Sequence, residues 1–159
     1  KADKMELIIQ KAVELGVYQV IPVAMKRCVV KLDDKKASSK LTRWQGIAEA
    51  AAKQSKRGII PQITKVMTFA QALEYSRTAQ VRLVPYELAE GMDRTREIIE
   101  QIQPGQDIAV FIGPEGGFDE AEIGKVIEAG TQPITLGKRI LRTETAGMTV
   151  LSILMYHLE

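Results

Sequence analysis

Five apolar residues, Ile108 to Ile112, run directly into Gly113-Pro114-Glu115-Gly116-Gly117-Phe118, and Asp119 and Glu122 follow at the spacing of a capping box. This order predicts a strand, a glycine turn and a helix in immediate succession. The same alternation recurs along the chain. Val81–Pro85 and Pro133–Leu136 read as further strands, and Val17–Ile21, closed by Pro22, as another. Helical periodicity predicts helices over Asp3–Leu15, ended by Gly16, over Phe69–Ser76 and near Arg94–Ile102. A long helix is expected to start after Ser38 or Ser39 as N-cap and to run to about Ser55, with Leu41, Trp44, Ala48, Ala51 and Ser55 in one stripe. Cys28–Lys31 reads as a short strand extension or a loop edge. Strands alternating with helices imply an α/β fold, a mostly parallel sheet with helices on both faces.

The chain has 159 residues, about one domain, and its 45% hydrophobic and 26% charged residues supply a core and a wet surface, which excludes disorder. The longest nearly uninterrupted apolar stretch, Met148 to Tyr156, is far short of the roughly 20 residues that span a bilayer. A start without an apolar core and a single cysteine, Cys28, point to a reducing, cytoplasmic setting. Ala146 to Leu158 forms a helix apolar around nearly its whole circumference. Such a helix needs cover on every side, from the core or from a second copy in a twofold dimer, and the shared interface is the reading favoured here.

Charge is unevenly spread. Lys26 to Arg57 holds ten basic residues and three acids, a local excess of +7 in a chain whose net charge is +2. A segment this basic either meets the phosphates of a nucleic acid or forms a solvated helix face. Two loops have the composition of a ligand site. The glycines of residues 113–117 let a ligand approach the main chain, at the carboxyl ends of strands where open α/β sheets bind ligands, or else serve only a tight turn. No dinucleotide or nucleoside-triphosphate phosphate motif is present. The second loop, Gly137 to Ala146, mixes Ile140 and Leu141 with Arg139, Arg142 and Glu144, as a small-molecule pocket with a charged rim does; an ordinary Arg–Glu surface pair is the alternative.

Several blocks in order, Lys4-Met5-Glu6, Gln10 to Val17, Arg43-Trp44, Glu49-Ala50, Gln54 to Arg57, Gly113 to Phe118 and Leu136-Gly137 with Arg139 to Ala146, resemble the small-subunit (16S) ribosomal RNA uracil-N3 methyltransferase family of the knotted SPOUT superfamily. The resemblance covers the chain from end to end, with Val13, Lys26, Cys28 and Lys53 as departures outside the two loops. It implies a C-terminal trefoil knot and a SPOUT methyltransferase domain over residues 1–159, without the N-terminal PUA-like RNA-binding barrel of full-length members. It further implies S-adenosylmethionine as methyl donor, leaving as S-adenosylhomocysteine, and no metal. The donor's pocket would be built from Leu83, Val84, Pro85, Gly113, Glu115, Gly116, Leu136, Gly137, Ile140 and Leu141.

On the same footing, Arg142 is the candidate cation for the imide oxygens of uracil, and Glu144 the candidate to orient it or to take the N3 proton. Gln10, Lys11, Arg43, Gln54, Lys56 and Arg57 are candidates to hold RNA. The expected partners are 16S rRNA, within the small ribosomal subunit, and a second copy of the chain through the last helix and the knot. A knotted methyltransferase acting on a ribose 2′-oxygen or a tRNA base, and a non-enzymatic RNA-binding module, are the competing functions. An Arg commonly stands near the position of Gln10 in the 2′-oxygen branch, so Gln10 favours base methylation.

Overall fold

In the computed structural model, which describes residues 2–27, 34–87, 89 and 91–159, three parallel strands carry the site-bearing half of the molecule. The elements in chain order are α1 (Ala2–Glu14), β1 (Gln19–Val20), β2 (Val23–Ala24), α2 (Asp34–Gln54), β3 (Gln62–Ile63), β4 (Met67–Thr68), α3 (Phe69–Ser76), β5 (Val81–Pro85), α4 (Met92–Glu100), β6 (Ile108–Val110), α5 (Glu120–Glu128), β7 (Gln132–Ile134) and α6 (Thr143–Leu158). β5 lies between β6 and β7, with Leu83 opposite both Val110 and Gln132. β1 pairs with β3 and β2 with β4, again in parallel. The α/β class, the parallel pairing and the alternation of strands with helices agree with the sequence reading.

Successive residues of a strand point to opposite faces, and β5 shows what each face meets. Leu83 packs with Ile98, Ile99 and Ile102 at α4 and with Val150 and Leu154 of α6. Its neighbour Val84 packs with Ile123 and Val126 of α5, and Phe69 and Leu73 of α3 join them. Both β5 side chains are 0% exposed, so the sheet is covered by helices on both faces. Burying an aliphatic side chain of this size stabilises by about 1.5–3 kcal/mol, which makes β5 the axis of this half. A third cluster joins α1 to α2 through Ile9, Val13, Trp44, Ala48, Ala51 and Ala52.

Local chemistry sets the helix ends. Thr68 and Gln71 form a reciprocal capping box at α3, and Asp119 and Glu122 form another at α5. At the end of α1, Gly16 adopts φ +95°, which lets the Val17 N–H reach the Ala12 carbonyl at 3.0 Å. α2 closes the same way, but with Lys56 at φ +61° in the position glycine normally takes.

Several boundaries differ from expectation. α2 is already helical at Asp34, so Ser38 and Ser39 are interior residues rather than N-caps, and the Ser38 carbonyl accepts from the Thr42 hydroxyl at 3.3 Å. α6 begins at Thr143, because the Ala146 N–H bonds the Arg142 carbonyl. The strands expected over Val17–Ile21, Ile108–Ile112 and Pro133–Leu136 are shorter at Gln19–Val20, Ile108–Val110 and Gln132–Ile134. β2, β3 and β4 went unread, since two residues are too few to show a period of two. Cys28–Lys31 lies outside the described residues.

Candidate functional site

The three parallel strands β5, β6 and β7 end on the same side, and the turns that follow β6 and β7 meet there. Thr143, first residue of α6, donates its hydroxyl to the Gly113 carbonyl at 3.0 Å. This bond joins the start of the first glycine turn to the end of the second loop across 30 residues of chain.

The first turn is built closely. Gly117 adopts φ +76°, and its N–H closes the turn on the Pro114 carbonyl at 2.8 Å. A Cβ on Gly116 would lie 2.9 Å from the Arg27 Cβ, so a side chain there forces Arg27 to shift, and one on Gly113 would crowd the Phe118 ring at 3.1 Å. Arg27 donates to the Gly116 and Phe118 carbonyls at 3.0 and 3.3 Å. Lys4 of α1 pairs with Glu115 at 3.2 Å, and Lys26 with Asp119 at 3.6 Å. The Glu122 N–H, donating to Asp119, holds the Asp119 carboxyl below its usual range, and the charges of Lys26 and Arg27 act in the same direction against desolvation.

The second loop is held at its base. Thr135 exchanges hydrogen bonds with Gly137, which adopts φ +127°, and Thr95 of α4 bonds both the N–H and the carbonyl of Thr135 at 3.0 Å. Beyond Gly137, the main-chain N–H groups of Ile140 and Leu141 make no hydrogen bond among the described residues, and the Ile140 side chain is 84% exposed. Oε2 of Glu144 is buried without a hydrogen-bond partner, and Arg142, exposed, caps α6 without a side-chain bond. Unengaged main-chain donors and an orphaned buried carboxylate oxygen within one joined pair of turns are the features of a place prepared for a polar ligand.

Of the expected pocket residues, Gly113, Glu115, Gly116, Leu136, Gly137, Ile140 and Leu141 lie on these two turns. Of the β5 residues, Leu83 and Val84 bury their side chains in the core, the Leu83 carbonyl accepts from the Phe111 N–H at 2.9 Å, and Pro85 is half-buried at the strand's end. The residues expected to hold RNA lie elsewhere, around α1 and α2. Gln10, Lys11 and Gln54 line one groove of about 500 Å³, with Glu14, Ile47, Ala50 and Ala51. Arg43 is bound to Glu6 across the two helices, and its hydrogen bond is the main cause that lowers the Glu6 carboxyl below its usual pKa. Arg57 turns inward and donates to the carbonyls of Val13 and Val17 at 3.2 and 2.7 Å, tying the end of α1 to the end of α2. Lys56 is exposed.

Sequence reasoning missed Lys4, Arg27 and Thr143 as the residues that fix the turns. Thr143 was legible as the first polar residue ahead of an apolar helix. Arg27 carried no signal, because its carbonyl partners lie 89 and 91 residues away. Among the described residues no helix is long and apolar enough to cross a membrane, and no cluster of three or more metal-ligating side chains occurs.

Comparison with known proteins gives one answer from three directions. The family model of an RNA methyltransferase domain matches residues 1–155. A ribosomal RNA small subunit methyltransferase E from Bacillus subtilis is 41% identical over 162 aligned residues, covering 100% of this chain and 63% of that protein. Among solved structures, a methyltransferase from Legionella pneumophila in complex with bound SAM superposes with a TM-score of 0.89 at 35% identity, over 98% of this chain and 62% of the other. A ribosomal RNA small subunit methyltransferase E from Neisseria gonorrhoeae bound to S-adenosyl methionine superposes with a TM-score of 0.82 at 34% identity, over 98% and 62%. The chain thus spans somewhat less than two thirds of the length of these relatives. Its sequence over almost every residue, and the fold that brings two strand-end turns together, make this chain a member of the RNA methyltransferase domain family.

Proposed function

We propose that this chain is an S-adenosylmethionine-dependent methyltransferase domain that modifies N3 of a uridine in the decoding region of 16S rRNA. The observation that carries this reading is the hydrogen bond from Thr143 to Gly113, which sets the free main-chain donors of the second loop and the buried Glu144 oxygen beside the glycine turn. The residues fit this donor. It presents an adenine, a ribose, a carboxylate and a sulfonium without any phosphate, and the turns offer main-chain groups rather than a phosphate cradle. SAM-bound relatives of the same fold support the assignment.

When bound, S-adenosylmethionine supplies a methyl group on a positively charged sulfur. The protein's part is to place and prepare the nucleophile. Uracil N3 carries a proton and lies on the Watson–Crick edge, so the base must be unpaired or flipped out to react. Glu144 accepts the N3 proton, and the guanidinium of Arg142 stabilises the negative charge that spreads onto the imide oxygens. The two turns would hold the donor, which would pass its methyl group to the deprotonated N3 and leave as S-adenosylhomocysteine. Fixed geometry lowers such a barrier by about 7–11 kcal/mol when two reactants are held in line, and the side chains that brace the first turn serve that end.

The RNA strand lies along the groove between α1 and α2, where Gln10, Lys11 and Gln54 face it, Arg43 and Arg57 hold the two helices in place, and Lys56 stands at its end. The last strand and helix thread through an earlier loop to form the trefoil knot. A second copy covers the outer side of α6, where Met155 and Tyr156 are 38% and 89% exposed, and completes a cytoplasmic homodimer acting on the small ribosomal subunit.

Calorimetric titration with S-adenosylmethionine, followed by nucleoside mass spectrometry of treated 16S rRNA, tests the reading. The expected results are saturable binding and N3-methyluridine. Glu144→Gln is expected to retain donor binding and lose turnover. A product methylated on the ribose would reassign the target, and a folded chain that binds no donor would leave an RNA-binding module.

A further inference from the structure

The segment from Lys26 to Arg57, in which the sequence concentrates positive charge, engages at least five of its ten basic side chains with partners in the same chain. Lys26 pairs with Asp119, Arg43 with Glu6 and Lys53 with Glu49, while Arg27 and Arg57 donate to main-chain carbonyls. A different cluster is uncompensated. Lys138, Arg139 and Arg142 fall within five residues, all exposed, and none of their side chains makes an ion pair or hydrogen bond among the described residues. The acid next in sequence, Glu144, has one carboxylate oxygen buried rather than turned to these cations.

We infer that Lys138 and Arg139, beside Arg142, form a phosphate-binding rim that grips the RNA backbone next to the nucleotide being modified. Like charges this close repel one another in the free protein, and a polyanion relieves that repulsion by direct neutralisation. Their place decides which polyanion contact they make. The loop is fastened to the first glycine turn by the Thr143–Gly113 bond and to α4 through Thr135 and Thr95, so the rim stands at the strand ends where the methyl donor is proposed to sit. A donor carboxylate is a single anion. With Arg142 given to the base, the two remaining cations, Lys138 and Arg139, match neighbouring phosphates of a strand instead, and such contacts fix register without reading sequence. The inference rests on the proposed methyltransferase reading for its choice of RNA.

The experiment compares the chain with its Lys138→Gln/Arg139→Gln variant and with Lys53→Gln. Binding of a fluorescent single-stranded, uridine-rich RNA oligonucleotide is followed by anisotropy between about 50 and 200 mM salt, the range over which phosphate contacts weaken steeply. Loss of two phosphate contacts to single-stranded RNA is expected to lower the slope of log affinity against log salt by about 1.4. Lys53→Gln, which removes a cation already paired, is expected to leave the slope unchanged. Calorimetry with S-adenosylmethionine is expected to give the same affinity for all three proteins. An unchanged slope in the double variant, RNA binding absent from the parent chain, or a donor affinity that falls as far as RNA affinity would each overturn the inference. Failure of the methyltransferase reading shows separately, as a parent chain that binds RNA but no donor.

Discussion

The turn after β6 is braced by side chains along its whole length, whereas the turn after β7 is fastened at its two ends and left open between them. Around the first, Arg27, Lys4, Lys26 and the Phe118 ring reach in from other parts of the molecule, and the capping box locks the start of α5. Around the second, Thr95 and Thr135 hold the base, Thr143 holds the exit, and Lys138 to Leu141 carry main-chain N–H and charged side-chain groups without a partner among the described residues. A braced turn is a wall whose shape is settled before any ligand arrives. An open one supplies the contacts. Preorganisation on one side and unsatisfied polar groups on the other are the two things a site needs, and here they are divided between neighbouring strands.

Removing the support common to both turns has the largest expected effect. Leu83→Ala hollows the core beneath β5, and a loss of about 2–5 kcal/mol in unfolding free energy is expected by urea titration. A smaller loss would mean that the turns do not depend on that strand. Next in size is Gly116→Ala, which separates the two turns experimentally. The added methyl meets the Arg27 Cβ, and about 1–3 kcal/mol of destabilisation with a marked loss of donor affinity is expected. Gly124→Ala, in open space on α5, is the matched control and is expected to stabilise by about 0.5–1 kcal/mol. Equal effects at the two positions would refute the bracing of the first turn. The smallest effect belongs to Thr143→Val, which keeps the side chain's shape and deletes the bond to Gly113. A stability change of about 0.5–1.5 kcal/mol is expected. Calorimetry should show donor affinity falling, alongside a urea midpoint lowered by that small amount.

The helices and the longer strands were readable because their causes are local. Phe69–Ser76 and Val81–Pro85 have the predicted bounds, and the Asp119–Glu122 box forms as its spacing requires. Ser38 and Ser39 misled because a serine is an N-cap only where the chain is not already helical, and that was decided upstream at Asp34. The candidate site was legible as two loops but not as one place. Leu83 and Val84 stand near the end of β5 as expected, and their side chains also join the hydrophobic clusters on its two faces.

Charge shows the same division. Sequence counting put the excess at Lys26 to Arg57, yet there Lys26 and Arg43 pair with Asp119 and Glu6, and Arg27 and Arg57 are tied to the carbonyls of Gly116, Phe118, Val13 and Val17, from segments as far as 93 residues away. By itself the sequence determined the α/β alternation, the glycine turns and the caps, all set by interactions within a few residues along the chain. The tertiary structure alone decided which turns meet, which cations stay free and which side chains brace the site. Those outcomes depend on distances between segments remote in sequence, and only the folded backbone fixes them.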